Sequence, residues 1–197
     1  MYVPQLNGQR LVFHNSGKLY KSAMVPYDVQ TGSLWSQLLQ RAITGPLAGT
    51  RLDILPVEHT TWKDWKRRHP QTLVLSNSTG FTRDYGLDPY RDYFENGEPV
   101  FRRPPKGFKS KANLRAMERV LGVQIDGQFK AYSFSFLKRQ ASPIADEVSQ
   151  RQVLIYFDRQ TERAYVTDPA GSVVASITTF WFAWEDFYPD TEIVSGH

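Results

Sequence analysis

The chain has 197 residues, 41% of them hydrophobic and 14% aromatic, enough to bury a core and too apolar for a disordered chain. It contains no cysteine, which excludes disulfides, thiolate metal sites and cysteine nucleophiles. The net charge of +4 permits anionic partners without demanding them.

The first turn signals lie near the N-terminus. Arg10–His14 reads as a strand, Asn15–Lys18 as a turn of residues that tolerate positive φ, and Leu19–Val25 as a second strand ended by Pro26. Asp28 and the Thr31-Gly32 pair mark a tight turn, after which Ser33 is placed to cap a short helix through Leu34, Gln37, Leu38 and Arg41. Residues 45–49 read as a loop, and 51–56 as a strand.

Residues 60–72 and 179–191 repeat each other at an offset of 119. Trp62 aligns with Trp181, Trp65 with Trp184, Pro70 with Pro189 and Thr72 with Thr191. Thr60 and Thr179 are N-cap types, tryptophans three apart share a helical face, and proline ends the helix. Leu73–Leu75 and Ile193–Val194 follow as short apolar strands. Each block therefore predicts a two-turn helix anchored by buried indoles, because so short a helix is marginal without packing.

Residues 83–93 lack either period and read as a surface loop. A basic linker runs over 102–119. The second half opens on Val120–Ile125, Asp126-Gly127 and Gln128–Phe136, a strong hairpin signal. A further strand pair, 152–157 and 162–167, flanks the turn 158–161, and 172–177 leads to the second tryptophan block. The expected architecture is β-rich α+β: a first, partial repeat over 1–101, a basic linker over 102–119 and a second repeat over 120–197, packed as one globular unit.

Several of these stretches resemble the DUF3179 family, bacterial and archaeal proteins of undetermined function. They are Tyr27–Gln37, Gly45–Gly49, the two Trp-Pro blocks, Arg83–Tyr85 with Pro89-Tyr90, and Val120–Val123 with Lys130–Tyr132. The resemblance implies duplicated halves. It also implies that this chain is an N-terminally shortened, cysteine-free member. Relatives carry a Cys-Pro-x-Cys-like segment in a full first repeat, and the matching stretch of the second repeat, Leu154–Asp158, has no cysteine here.

No catalytic motif stands out. His14, His59, His69 and His197 have no metal spacing. His69 aligns with Tyr188 and reads as an aromatic filler. Neither Ser16 nor Ser33 lies in a Gly-x-Ser-x-Gly elbow. The favoured reading is a domain that binds a small molecule or a protein in a polar and aromatic cleft between the repeats. Its expected lining is Asp28, Ser33, Trp35, Arg83, Tyr85 and His59, with the surface placed where the Asp28–Gln37 turn meets the Arg83–Tyr90 loop. Two alternatives stand beside it. One is a hydrolase acting on an ester, lactone or similar bond through a Ser/His/Asp set. The other is nucleic-acid binding through the linker, where Phe101 and Phe108 interleave with charge. No cofactor is predicted; the one cation reading is calcium at Asp84, Asp88 and Asp92. No membrane span or signal peptide is visible, which makes a cytoplasmic location the default.

Overall fold

The Asp126-Gly127 dipeptide folds as its chemistry predicts. In the computed structural model, which describes residues 3–21, 23–88, 91, 95, 110 and 112–196, both residues are left-handed (φ 47 and 81). That is the geometry of a two-residue hairpin. They join β7 (Arg119–Ile125) to β8 (Gln128–Ser133), with Ile125 opposite Gln128. A one-turn helix, α2 (Phe134–Leu137), follows. Next come β9 (Ile144–Val148), β10 (Arg151–Asp158), β11 (Arg163–Thr167) and β12 (Val173–Val174), in the sheet order β12-β11-β10-β9. The chain then enters β13 (Ser176–Phe180), α3 (Trp181–Phe187) and β14 (Glu192–Val194). These complete a mixed sheet, β13-β7-β8-β14, whose last strand is parallel to β8.

Both faces of that mixed sheet are covered. Val120 and Ala131 pack against Trp181, Trp184 and Phe187 of α3. Leu121, Val123 and Tyr132, on the opposite face, meet Val153, Ile155, Phe157 and Val166 of the other sheet. A third, smaller core joins Leu11, Trp35, Ala42 and Leu52.

The first half is a run of short ribbons: β1 (Gln5–Leu6) with β2 (Gln9–Arg10), β3 (Phe13–Tyr20) with β4 (Ala23–Asp28), and β5 (Trp35–Ser36) with β6 (Arg41–Ala42). The expected turn at Asn15–Lys18 is instead a β-bulge inside β3. Gly17 takes φ 68 there, Asn15 Oδ1 accepts from Gly17 N, and the Ser16 hydroxyl donates to the Val25 carbonyl. Turn-forming residues serve a bulge as well as they serve a turn, because both need a residue with positive φ. The helix expected after Ser33 is also absent. Gln40 turns left-handed (φ 59) and the chain doubles back as β5–β6, which buries Trp35 and Ala42. Residues 51–56 form no strand: Arg51 makes an isolated bridge with Arg41, and Ile54 is a bridge residue as well.

The two tryptophan blocks do form helices, α1 (Trp62–Arg68) and α3, each starting one residue later than expected. Thr61 caps α1, its hydroxyl accepting from Asp64 N at 3.2 Å. Phe180 precedes α3 without a side-chain cap, because the carbonyls of Glu118 and Ala116 accept from Trp181 N and Phe182 N. Their surroundings differ. Trp181 and Trp184 are 2% and 1% exposed, whereas Trp62 is 49% exposed and Trp65 half-buried. The expectation of two buried anchors therefore holds for α3 alone. Leu73–Leu75, expected as a strand, lies exposed outside any strand, while its aligned segment pairs with β8.

The halves are tied together. Tyr188 donates its hydroxyl to the Leu38 carbonyl, Lys21 Nζ reaches the Asp186 carbonyl at 2.6 Å, and Tyr20 meets Phe187 edge-on. Glu58 pairs with Arg68 of α1 at 2.6 Å and with Arg163 of β11 at 3.3 Å. Residues 102–109 and 111 of the linker lie outside the described residues. Its end packs on the second half, where the Ser110 hydroxyl accepts from Trp181 Nε1 at 2.8 Å. Among the described residues, no helix is long and apolar enough to cross a membrane.

Candidate functional site

The turn after β4 is built around one buried carboxylate. Asp28 is fully buried, and its Oδ1 accepts from Thr31 N at 2.6 Å, the Asx-type bond that this turn chemistry favours. Its Oδ2 accepts from Trp35 Nε1 at 2.8 Å. The Thr31 hydroxyl donates to the same carboxylate and lies 2.7 Å from Ser33 Oγ. Burial alone would raise the Asp28 pKa, but the bonds from Trp35 and Thr31 outweigh it and hold the carboxyl below its usual range.

Ser33 is sealed by the same turn. Its side chain is fully buried, and its Oγ also accepts from Leu47 N at 3.1 Å. Gly45, at φ 83, lies so close that a Cβ there would stand 2.7 Å from Ser33 Oγ. The Gly45–Gly49 loop therefore folds over Ser33, whose hydroxyl is engaged on both sides and closed to a substrate.

Trp35 holds the turn with its Nε1, and its ring helps to wall a cavity of about 680 Å³ between the halves. That volume lies within the usual range for small-molecule sites. Phe13, Trp35, Leu38, Leu52, Ile54 and Val57 line it from the first half. Every residue of β13 lines it from the second half, with Phe182 and Ala183 of α3. The polar groups are Ser36, Gln37, Gln40, Arg41 and the β13 hydroxyls, and among the described residues no aspartate or glutamate lines the space. Arg41 lies beside Arg51, and both guanidinium groups act on the buried Tyr188 hydroxyl, whose pKa burial nonetheless pushes up to about 12. Past Ser176 a smaller recess continues between Gln40, Ile54, Gly122 and Trp184.

Of the residues expected to form the site, Asp28, Ser33 and Trp35 come together, two as buried scaffold and one as cavity wall. The structure does not bring Arg83, Tyr85 or His59 to the cavity. All three are exposed, and the Tyr85 hydroxyl lies 2.6 Å from Thr79 Oγ1. Pro89 and Tyr90 lie outside the described residues, as does Asp92 of the calcium reading. Asp84 Oδ1 accepts from Gly86 N at 2.9 Å. Among the described residues no three His, Cys, Asp or Glu side chains are grouped to hold a metal. Sequence reasoning missed Gln40, Arg41 and the β13 wall. The polar, aromatic turn beside them was legible; the left-handed residue that carries Gln40 to the cavity was not.

A second cluster lies away from the cavity. Lys130 Nζ pairs with Asp146 and Glu192, each at 2.9 Å, and Tyr132 donates to Asp146 at 2.9 Å. This network fastens β9 and β14 to β8.

No curated protein and no solved structure matches the chain. The family described as "Protein of unknown function (DUF3179)" matches residues 1–191, and the chain belongs to that family.

Proposed function

We propose that this protein is a binding domain whose ligand occupies the cavity between its halves. The observation that carries the reading is the composition of the wall, which is aromatic and aliphatic over most of its area, with the cation Arg41 and, among the described residues, no carboxylate. Apolar walls with a few placed polar groups are the general character of ligand sites. The lining selects a mainly apolar ligand with an anionic end, the guanidinium supplying a charge-assisted bond. Gln40 adds a nearly buried amide, carried to the wall on a left-handed backbone that is uncommon for a side-chain-bearing residue.

The hydrolase alternative draws less support, since Ser33 is enclosed and His59 is exposed. Residues 101–109 lie outside the described residues, so the nucleic-acid alternative has no geometry behind it.

We further infer that the two halves are degenerate repeats. At the offset of 119, Asn7-Gly8 corresponds to Asp126-Gly127, with φ of 49 and 79 against 47 and 81. The pairing Leu6 with Gln9 corresponds to Ile125 with Gln128. Trp65 Nε1 donates to Thr72 Oγ1 at 3.0 Å, and Trp184 Nε1 to Thr191 Oγ1 at 3.0 Å. The caps agree as well: His69 has φ −131 and ψ 68, Tyr188 φ −129 and ψ 69. A duplicated unit would place the cavity at the seam between two copies.

The test is titration with anilinonaphthalenesulfonate, an apolar aromatic anion, followed by its fluorescence. One dye should bind per chain and be displaced by decanoate. Val57→Trp, at a half-exposed wall position, should remove binding while the melting temperature holds. Dye binding unaffected by Val57→Trp and undisplaced by decanoate would refute the reading.

A further inference from the structure

The cavity does not end at Ser176. A recess of about 40 Å³ continues from it, and Gln40, Ile54, Ser176 and Ile177 line both spaces. That is room for a water molecule or two, or for one small polar group of a ligand.

The other wall of the recess is Gly122, Gln124 and Trp184. Strand alternation explains why these three meet. Val120, Gly122 and Gln124 are alternate residues of β7 and share one face of the sheet. Val120 packs against the indoles of α3 on that face, and Gly122 seats Trp184. Gln124 is next in the same row, where an apolar residue would extend the packing, and it brings an amide to the recess instead. Trp184 commits its own polar atom elsewhere: Nε1 donates to Thr191 Oγ1 at 3.0 Å. Gln40 reaches the recess from the first half, on the left-handed residue between β5 and β6.

Two amides from the two halves therefore border one small space. Each offers two N–H donors and a carbonyl acceptor, which suit a neutral group that can both donate and accept. Neither holds a full charge, so an ionised group placed between them would lose more hydration than they return. A hydrocarbon end would cover them and leave their hydrogen bonds unmade. Arg41, the next residue after Gln40, lines the main cavity and not the recess, so the two polar requirements fall in different places.

We propose that the recess is a subsite for a neutral hydrogen-bonding group. The ligand is then an apolar carboxylate that also carries a hydroxyl or carboxamide, with the carboxylate at Arg41 and the neutral group between Gln40 and Gln124. The inference rests on the binding role proposed above and narrows the ligand class. A water molecule is the rival occupant. It would make the same bonds unaided, and a ligand hydroxyl would gain nothing by displacing it.

The experiment is calorimetric titration of the full chain with decanoate, its β-hydroxy and ω-hydroxy derivatives, and decanedioate. The two hydroxyl positions sample a short and a long span between Arg41 and the recess. One hydroxy acid should bind at least about fivefold tighter than decanoate, the scale of one net hydrogen bond. Decanedioate, which brings a second charge, should bind more weakly than that acid. Gln40→Met and Gln124→Met keep a side chain of similar length and remove the amide. In each variant the hydroxy acid and decanoate should bind within about twofold of each other. The readout is a ratio within one protein, so a general loss of affinity does not imitate it. If decanoate binds and neither hydroxy acid improves on it, the subsite is overturned and the cavity keeps its binding role. Wild-type protein alone decides that outcome, whether or not the variants fold. A preference that survives both substitutions also overturns the subsite, because the hydroxyl then lies elsewhere. If none of the four acids binds, the subsite and the binding role fall together.

Discussion

Trp184 lies flat on Gly122. A Cβ built at Gly122 would stand 2.2 Å from Trp184 Cζ3 and under 2.6 Å from two more atoms of the same ring. The glycine is therefore the seat of the indole: it lets α3 approach the centre of the mixed sheet, and Trp184 fills the space left by the missing side chain. Gly122→Ala should destabilise the protein by about 1–3 kcal/mol, the usual cost of overpacking a filled core. Urea denaturation measures it. A change below about 0.5 kcal/mol would mean that the helix floats over the sheet.

The two tryptophan blocks should respond unequally. Trp184 is buried against β7 and bonded to Thr191, so Trp184→Ala should cost about 3–5 kcal/mol. Trp65 makes the same bond to Thr72 but is half-exposed, and Trp65→Ala should cost less than about half as much. Trp62→Ala, at a ring 49% exposed, should stay within about 0.5 kcal/mol. Equal losses at 65 and 184 in denaturant titrations would contradict this ordering.

Asp28 organises the cavity-side turn through bonds from Trp35 Nε1 and Thr31. Asp28→Asn places an amide nitrogen against groups that donate, and should cost about 1–3 kcal/mol through the unsatisfied buried partner. Its folded pKa is lowered from 3.8, so its contribution is complete above about pH 4 and is lost as the pH falls through the folded value. Stability curves of wild type and variant should converge in acid. Dye affinity should fall in the variant, because the Trp35 ring is a cavity wall. An unaltered affinity would separate the turn from the site.

Asp64 gives α1 its own pH dependence. The Arg67 guanidinium, bonded at 2.7 Å, holds its carboxyl down at about 2, assisted by Thr60 and by Arg68 at 2.9 Å. A depressed carboxyl contributes stability in full above its unfolded pKa near 3.8, and that stability drains away between pH 4 and pH 2. Thermal melts of wild type and Asp64→Asn should differ at pH 7 and coincide near pH 2. A gap that stays constant to pH 2 would show that the ion pairs do not support the fold. Added salt should narrow the gap at pH 7, since Arg67 is largely exposed.

By itself the sequence determined what short-range chemistry controls. Asp126-Gly127 dictated the β7–β8 hairpin, the strand pair around Asp158–Thr161 followed from its apolar runs, and the proline-ended tryptophan blocks became helices. The absence of cysteine, the β-rich α+β class and the family were legible there too. Tertiary structure decided the rest, for reasons that no local pattern carries. Asn15–Lys18 could serve a turn or a bulge, and the partner strand β4 chose the bulge. Leu73–Leu75 and Glu192–Val194 each follow a seven-residue, tryptophan-bearing helix, yet among the described residues only the second pairs with a strand. Trp65 and Trp184 align at the offset of 119, yet only Trp184 lies against Gly122 and is buried. The cavity is the clearest case. Its walls come from residues at least 119 positions apart, brought together only by the packing of β13 and α3 against the first half. Burial and strand order are properties of the whole chain, and they become visible only when it is folded.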